Sequence, residues 1–402
     1  MPRDLGRGGS EPPVVVLGAG YAGLRTAQEL HRRTRGRVPI LLVDRHPVHV
    51  LRTELYEVGR IAGAGGASAP WAIPLDEFLR RTSIEFRPGT ATEIDLEHQR
   101  VQLEAEPLAY SQLVIALGSV AAYYQVPGAA EHTHSVYRFT GAQRLAAELK
   151  AIARRSVDLP GERRPRVIVV GGGSTGTELA AEIAGTDWGA LAGGIPARPM
   201  EVVLVAGALP FLAGLPPELI DRSRRLLTAA GVHLLYGTNV TRVEPGRLHL
   251  DDGSILAAEA IIWCAGLEVP PVVARLPVPH GRGGRLRVAP TLELPGRPGA
   301  FAVGDVMELQ DPATGIPVPA TAQAALAAAR IAGLNLAARR LGQPLREFRY
   351  RERGVILALG PSEGAAAIRS LTLWGAPVRL LKRAVERKYA GAVAQGEESR
   401  VL

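Results

Sequence analysis

Short apolar runs, each closed by a glycine or an acid, recur along the whole chain. The first, Val14-Val15-Val16-Leu17, does not alternate and is rich in β-branched residues, the pattern of a parallel strand buried on both faces. It runs into Gly18, Gly20 and Gly23 at G-x-G-x-x-G spacing. Tyr21 to Leu30 then places Ala22, Leu24, Ala27 and Leu30 at helical spacing without a proline. In such a turn Gly18 permits the bend, Gly20 lets backbone approach a pyrophosphate, and Gly23 lets helix and strand pack closely, while the helix N-terminus offers an anion site. A second buried run, Pro39 to Val43, ends at Asp44, where a carboxylate can take both hydroxyls of an adenosine ribose. Gly63 to Pro70 reads as loop, Ile84 to Phe86 as a short strand, and Thr90 to Leu103 alternates like a small antiparallel hairpin. Leu113 to Leu117 is another buried strand, closed by Gly118, and Thr140 to Ser156 repeats apolar residues as a helix does.

At Arg166 the plan starts again. Val167 to Val170 leads into Gly171-Gly172-Gly173-Ser174-Thr175-Gly176 and a helix from Thr177 to Ile183, with strands expected at Val202 to Val205 and Val232 to Tyr236 and an apolar run from Ile261 to Gly266. Gly89-Thr90 and Gly237-Thr238 stand at similar distances past their glycine turns, so the duplication reaches the hairpins. A third run, Ala300 to Val303, ends in Gly304-Asp305. An alanine-rich helix, Thr321 to Leu336, a strand, Val355 to Leu359, and a basic helix, Val378 to Tyr389, follow, with disorder expected from Glu397 onward. The fold class this order predicts is α/β with two dinucleotide-binding domains.

Composition changes the picture only by exclusion. At 402 residues the chain is long for one core; the net charge of +8 comes almost wholly from scattered Arg, with no basic stretch interleaved with aromatics, so no nucleic acid is expected as a partner. The lone Cys264 excludes an intramolecular disulfide and any C-x-x-C pair, and in its apolar strand it reads as a buried structural thiol. The nine histidines form no HExxH or close cluster, and no metal is expected. Nothing resembles a secretory signal or a run of eighteen apolar residues, so the expected location is cytoplasmic, free or peripheral on the cytoplasmic face of the membrane. For the latter, Val378, Leu381, Val385 and Tyr389 make one apolar helical face and Arg379, Lys382, Arg383, Arg387 and Lys388 occupy the others. That stripe has two readings, a membrane surface or packing on the protein itself or a partner in a homodimer.

The order of these motifs closely resembles the flavoproteins with two Rossmann-like dinucleotide-binding domains, the second inserted in the first. Within them it is most similar to the type II NADH dehydrogenases, through Thr53-Glu54-Leu55-Tyr56-Glu57, Gly176-Thr177-Glu178, Ile262-Trp263 before Ala265-Gly266, and Pro319-Ala320-Thr321-Ala322-Gln323. The resemblance implies an FAD-binding domain in residues 12–130 and 276–340, an NAD(P)H-binding domain in 131–275, and a small C-terminal strand and basic helix in 345–402. It implies non-covalent FAD held by Gly18, Ala19, Gly20, Tyr21, Ala22, Gly23, Asp44, Arg45, Ala91, Ala116, Gly118, Gly304, Asp305, Ala322 and Gln323. NADH or NADPH would be held by Gly171, Gly173, Ser174, Thr175, Gly176, Glu178, Ala206 and Gly266. Glu178 and Gln323 are its catalytic candidates, although Glu178 can also be read as capping a helical turn, and the flavin itself carries the chemistry. The implied activity is hydride transfer from NAD(P)H to flavin and electron transfer to a quinone or other small acceptor, without proton pumping. A soluble reductase of a small iron-sulfur carrier and a non-catalytic flavin redox sensor share the same motifs. Three positions depart from the family pattern. Ala206 stands where an acid usually takes the NADH ribose, Ala327 replaces a second Gln, and Arg353 replaces Lys. Losing the charged hydrogen bond at 206 costs about 1.5 to 3 kcal/mol, and no Arg between Gly207 and Pro210 replaces it for a 2′-phosphate.

Overall fold

A computed structural model describes residues 11–65, 71–207, 210–311, 315–369 and 371–395. Part of the loop expected at Gly63 to Pro70, and all of the tail from Glu397, lie outside the described residues. β1 (Val14–Leu17) enters α1 (Tyr21–Thr34) and is followed by β2 (Ile40–Asp44), α2 (Val58–Gly63), β3 (Ile84–Pro88), β4 (Gln112–Ile115) and β5 (Val120–Ala121). Next come α3 (Phe139–Ser156), β6 (Arg166–Val170), α4 (Ser174–Gly185), β7 (Glu201–Val205), β8 (Val232–Leu235), β9 (Ala260–Trp263) and β10 (Leu267–Glu268). The chain closes with β11 (Arg297–Ala302), α5 (Ala322–Arg340), β12 (Val355–Ala358), β13 (Gly364–Ile368), β14 (Leu371–Trp374) and α6 (Ala376–Gln395).

One sheet orders its strands β11-β4-β1-β2-β3, all parallel, with the short strand Glu293–Leu294 antiparallel on the outer edge of β11. The other is the parallel set β8-β7-β6-β9. Because β11 pairs with β4 across everything between them, the second sheet is an insertion in the first. Both central strands, β1 and β6, are flanked by parallel strands and covered by helices, so their apolar runs are buried without alternation. Each half also carries an antiparallel meander: Ala91–Asp95, Arg100–Leu103 and Pro107–Ala109 in the first, Val240–Glu244, Arg247–Leu250 and Ile255–Ala257 in the second. The expected hairpin at Thr90 to Leu103 therefore gains a third strand.

α1 extends past Leu30, where its apolar spacing stops, because Glu29, 1 % exposed, is bonded by Arg32 (2.8 Å) and Arg33 (2.8 Å) one turn on. α5 lies against α1 through the buried Ala325, Ala328, Ala329 and Ala332; a Cβ on Gly333 would fall 2.7 Å from the Glu29 Cβ. Small residues allow that approach, which explains the alanine content of α5. The C-terminal sheet β12-β13-β14 sits between α4 and α6.

The face that α6 buries holds most of its apolar stripe and, unexpectedly, two bases as well. Val378 and Tyr389 are buried as expected, but so are Arg379 and Lys382, whereas Leu381 is 37 % and Leu380 62 % exposed. The reason is ionic: Arg379 and Lys382 reach carboxylates on the elements beneath.

Candidate functional site

Both cradles are built on the same plan. In the first, Gly18 turns at φ +100, and a Cβ there would lie 2.3 Å from the Ala116 carbonyl oxygen; at Gly23 it would lie 1.8 Å from that of Gly18. Only glycine fits either place. Gly20, the N-cap of α1, has nothing within 4 Å of its Cβ position and no side chain caps the helix. The positive end of α1 is thus bare toward open space, with Tyr21 and Ala22 opening its first turn. Asp44 stands at this rim, its Oδ2 accepting from the Ala19 N–H (2.8 Å) and its Oδ1 from that of His46 (3.0 Å), with Arg45 exposed beside it.

Asp305, just beyond β11, closes the same end of the sheet. Its Oδ2 accepts from Ser119 Oγ (2.7 Å) and lies 3.9 Å from Arg52, while Gly304 (φ +75) brings backbone against Ala22. Gly118 leaves room for Arg52, whose Nη1 would be 2.9 Å from a Cβ there. Ala91 is buried at the start of the first meander. α5 starts at Ala322 under a Thr321 cap, and Gln323 Oε1 accepts from Tyr350 Oη (3.0 Å) and the Arg353 N–H (3.0 Å). The stacked glycine, acid and open-turn positions fit a dinucleotide lying along α1 toward Asp305.

The second cradle repeats the geometry. A Cβ on Gly171 (φ +117) would lie 2.5 Å from the Cys264 backbone and one on Gly176 2.0 Å from the Gly171 oxygen, whereas one on Gly173, the N-cap of α4, would again meet nothing within 4 Å. A cavity of about 700 Å³ opens here, floored by residues 171–175 and walled by Ala206, Cys264 and Gly266. Tyr124 lies across Gly266, its hydroxyl 1.9 Å from where a Cβ would be. Burial pushes the Cys264 thiol up to about 12, as suits a structural thiol. The chain leaving β4 and the chain leaving β9 pair as β5 and β10, so the carboxyl ends of both sheets feed one ribbon.

Glu178 is not a helix cap. Its Oε1 accepts from the Ala358 N–H (2.9 Å) and from Lys382 Nζ, tying α4 to β12 and α6. It belongs to a buried cluster with Glu54, Glu57, Glu182 and Glu386, opposed by Arg60, Arg379 and Lys382. Arg379 and Arg60 both bond Glu57, and Lys382 stands 4.5 Å over the Tyr56 ring and 4.0 Å from Glu386. Burial, reinforced by neighbouring carboxylates, raises Glu54 and Glu182 to about 7; burial raises Glu386 to about 8 against the opposing pull of Lys382. Nearby, His49 Nδ1 donates to the Ala19 carbonyl (2.9 Å) and its Nε2 accepts from Tyr389 Oη (3.1 Å). Burial holds this imidazole below its ordinary value, and it links the first cradle to α6. Local spacing carries no signal for Arg52, His49 or Glu386, whose partners lie on distant segments.

Comparisons with known proteins agree with this architecture. The family described as pyridine nucleotide-disulphide oxidoreductase matches residues 12–329. A demethylphylloquinone reductase of Synechocystis is 29% identical over 94% of this chain and 91% of its own length. An NADH dehydrogenase-like protein of Mycobacterium tuberculosis is 31% identical over 97% and 96%. Among solved structures, NDH2 from Plasmodium falciparum in complex with NADH superposes with a TM-score of 0.79, at 14% identity, over 96% of this chain and 98% of that one.

Proposed function

The chain belongs to the pyridine nucleotide-disulphide oxidoreductase family and, within it, to the type II NADH dehydrogenases, and on that premise we propose that it passes electrons from NADH or NADPH through non-covalent FAD to a quinone at a membrane surface, without pumping protons. One observation carries the reading: two cradles of the same register, each with a bare helix N-terminus, feed a shared ribbon, so two dinucleotides can meet between them.

In this assignment residues 12–130 and 276–340 hold FAD and residues 131–275 hold the nicotinamide coenzyme. The backbone at Gly18 to Gly23 receives the pyrophosphate, Asp44 and Arg45 the adenosine ribose, Ala91 the adenine, and Asp305 a ribityl hydroxyl, with Ala116, Gly118 and Gly304 giving close backbone approach. Ala322 and Gln323 place the positive end of α5 at the ring. FAD supplies the hydride acceptor and electron carrier; the protein supplies position and a polarised, water-poor setting. Gly171 to Gly176 receive the coenzyme pyrophosphate, Gly266 its nicotinamide end, and Glu178, steadied by Lys382, the edge of that pocket. The buried carboxyl cluster can hold the protons that a two-electron reduction of quinone consumes.

Membrane attachment is supported by the outer face of the C-terminal region. Leu371, Leu373, Trp374, Leu380 and Leu381 are 63 %, 41 %, 51 %, 62 % and 37 % exposed beside exposed Arg387 and Lys388. Each such base adds about 1 kcal/mol near an anionic leaflet. Among the described residues no helix is long and apolar enough to cross a membrane.

Anaerobic NADH added to the purified protein tests the first half: bleaching of a band at about 450 nm, the flavin region, is expected, and its absence ends the reading. Reoxidation by menaquinone, compared with ferredoxin, tests the acceptor. Flotation with anionic liposomes, lost in Trp374→Glu/Leu380→Glu, tests attachment.

A further inference from the structure

A histidine is buried where its strand should bury valines. The short strand Val48–Val50 pairs antiparallel with Ala72–Pro74, so its middle residue faces the opposite way from its two neighbours. Hydropathy alone would turn Val48 and Val50 to the core. Instead both are half-buried and His49 is 0 % exposed. Burying an imidazole costs free energy unless its nitrogens find partners, and here both do.

Those partners fix the direction of each proton. The Ala19 carbonyl can only accept, so His49 Nδ1, 2.9 Å away, carries the hydrogen. Burial holds the ring below its ordinary value and hence neutral, which leaves Nε2 as the acceptor for Tyr389 Oη (3.1 Å) on α6. Burial also holds the Tyr389 phenol well above its ordinary value, so it keeps the proton it donates. Ala19 is gripped from its other side as well, its N–H donating to Asp44 Oδ2 (2.8 Å). Tyr21 completes the frame: its ring packs 5.3 Å from that of His49 and 4.9 Å from that of Tyr389, and its hydroxyl meets Thr53 Oγ1 (2.8 Å).

Gly20 lies between these two held residues, with nothing within 4 Å of its Cβ position to hold it in turn. The amides opening α1 have no helical partners, and a glycine beside them lets them swing. We propose that Tyr389, acting through His49, is a positioning residue for the flavin turn: it fixes the Ala19 peptide so that these amides point at the pyrophosphate site before the cofactor arrives. The gain is preorganisation, since a turn already ordered loses less freedom on binding. A hydroxyl on the C-terminal helix, 340 residues past the histidine it orients, thereby governs how firmly the flavin is kept.

The inference rests on the FAD reading of the first cradle, so the readout is FAD retention rather than turnover. Full-length holoprotein is diluted in series, and released FAD is followed by its fluorescence to give a dissociation constant. Tyr389→Phe, which keeps the ring and removes only the hydroxyl, should weaken FAD about threefold, within the range of one neutral hydrogen bond. His49→Leu should weaken it about tenfold, while His49→Asn, whose amide can still donate to Ala19, should stay near Tyr389→Phe. Because Tyr389 acts only through His49, Tyr389→Phe should add nothing measurable in either His49 variant. Val378→Ala separates positioning from mere stability: it thins the same helix at its buried contact with Gly364, and should lower the thermal midpoint while leaving FAD affinity unchanged. Wild-type FAD affinity in Tyr389→Phe, full additivity with a His49 variant, or equal FAD loss in Val378→Ala overturns the inference alone. A wild type that purifies without FAD and takes none up overturns it together with the reading of the cradle.

Discussion

Replacing Glu386 by glutamine should make this protein more stable in alkali. The carboxyl is held at about 8 in the fold and at its ordinary 4.5 in an unfolded chain, chiefly by burial, with Lys382 opposing the rise and Glu54, Glu57 and Glu178 adding to it. Between those values the folded state carries a proton that the unfolded state has lost, so stability is fully present below 4.5 and falls as the pH climbs through 8. At about 1.36 kcal/mol per pH unit, the loss is about 1.4 kcal/mol at pH 5.5 and approaches 4 to 5 kcal/mol at pH 9. Glutamine keeps the shape and has no proton to lose. Since Glu54 and Glu182 titrate in the same cluster and absorb part of the effect, the variant should gain about 2 kcal/mol on the wild type between pH 5.5 and pH 9.

The assay is the thermal or urea midpoint of the intact protein, wild type beside E386Q, across that range. Groups outside the cluster cancel in the difference. At this chain length about 2 kcal/mol corresponds to a few degrees. If the two curves run parallel, or if E386Q loses ground as the pH rises, Glu386 is ionised in the neutral fold and is not a proton store.

Other outcomes follow from single contacts. Gly20→Ala adds a methyl to open space and should fold with its midpoint within about 2 °C of wild type while losing flavin affinity, whereas Gly23→Ala drives a Cβ to 1.8 Å from the Gly18 oxygen and should fail to accumulate as folded protein. Arg379→Met leaves Glu57, 0 % exposed, paired with Arg60 but without its second base, and should cost less than the about 3 to 5 kcal/mol of a wholly unpaired buried charge; adding Glu57→Gln should recover a measurable part of it by urea denaturation. Cys264, with its thiol at about 12, should resist aromatic disulfide reagents at pH 8 until denaturant is added, and rapid labelling of the native protein would contradict its burial.

The cradles were legible in the sequence because their logic is local. Strand, glycines and helix lie within ten residues at Val14 to Gly23, and a β-branched run with no alternation fits a central parallel strand better than it fits a surface helix. The second copy repeats the same spacing, and Asp44 and Asp305 stand at strand ends where chain order places them. The charge cluster was not legible, since Lys382 meets Glu178 across 204 residues, Arg379 meets Glu57 across 322, and Tyr389 meets His49 across 340. Periodicity assigns a base to solvent unless a buried acid awaits it, and local spacing does not record the acid.

α6 therefore buries two bases beside Val378 and Tyr389, and this bears on where the protein works. Turning Arg379 and Lys382 inward is sustained by Glu57 and Glu178, but it leaves Leu380 and Leu381 in water next to Leu371, Leu373 and Trp374. Fully burying a leucine is worth about 1.5 to 3 kcal/mol, of which Leu380, 62 % exposed, forgoes the larger part and Leu381, 37 % exposed, the smaller part. Covering that patch with lipid would recover the loss, and the nearby Arg387 and Lys388 match an anionic leaflet. The same ion pairs that fasten α6 to the cradles thus create the apolar surface through which the proposed quinone partner would be reached. Exchanging Arg379 and Lys382 for leucine together with Leu380 and Leu381 for lysine should therefore weaken flotation with liposomes; if flotation survives in the folded variant, the outer leucines are not the anchor.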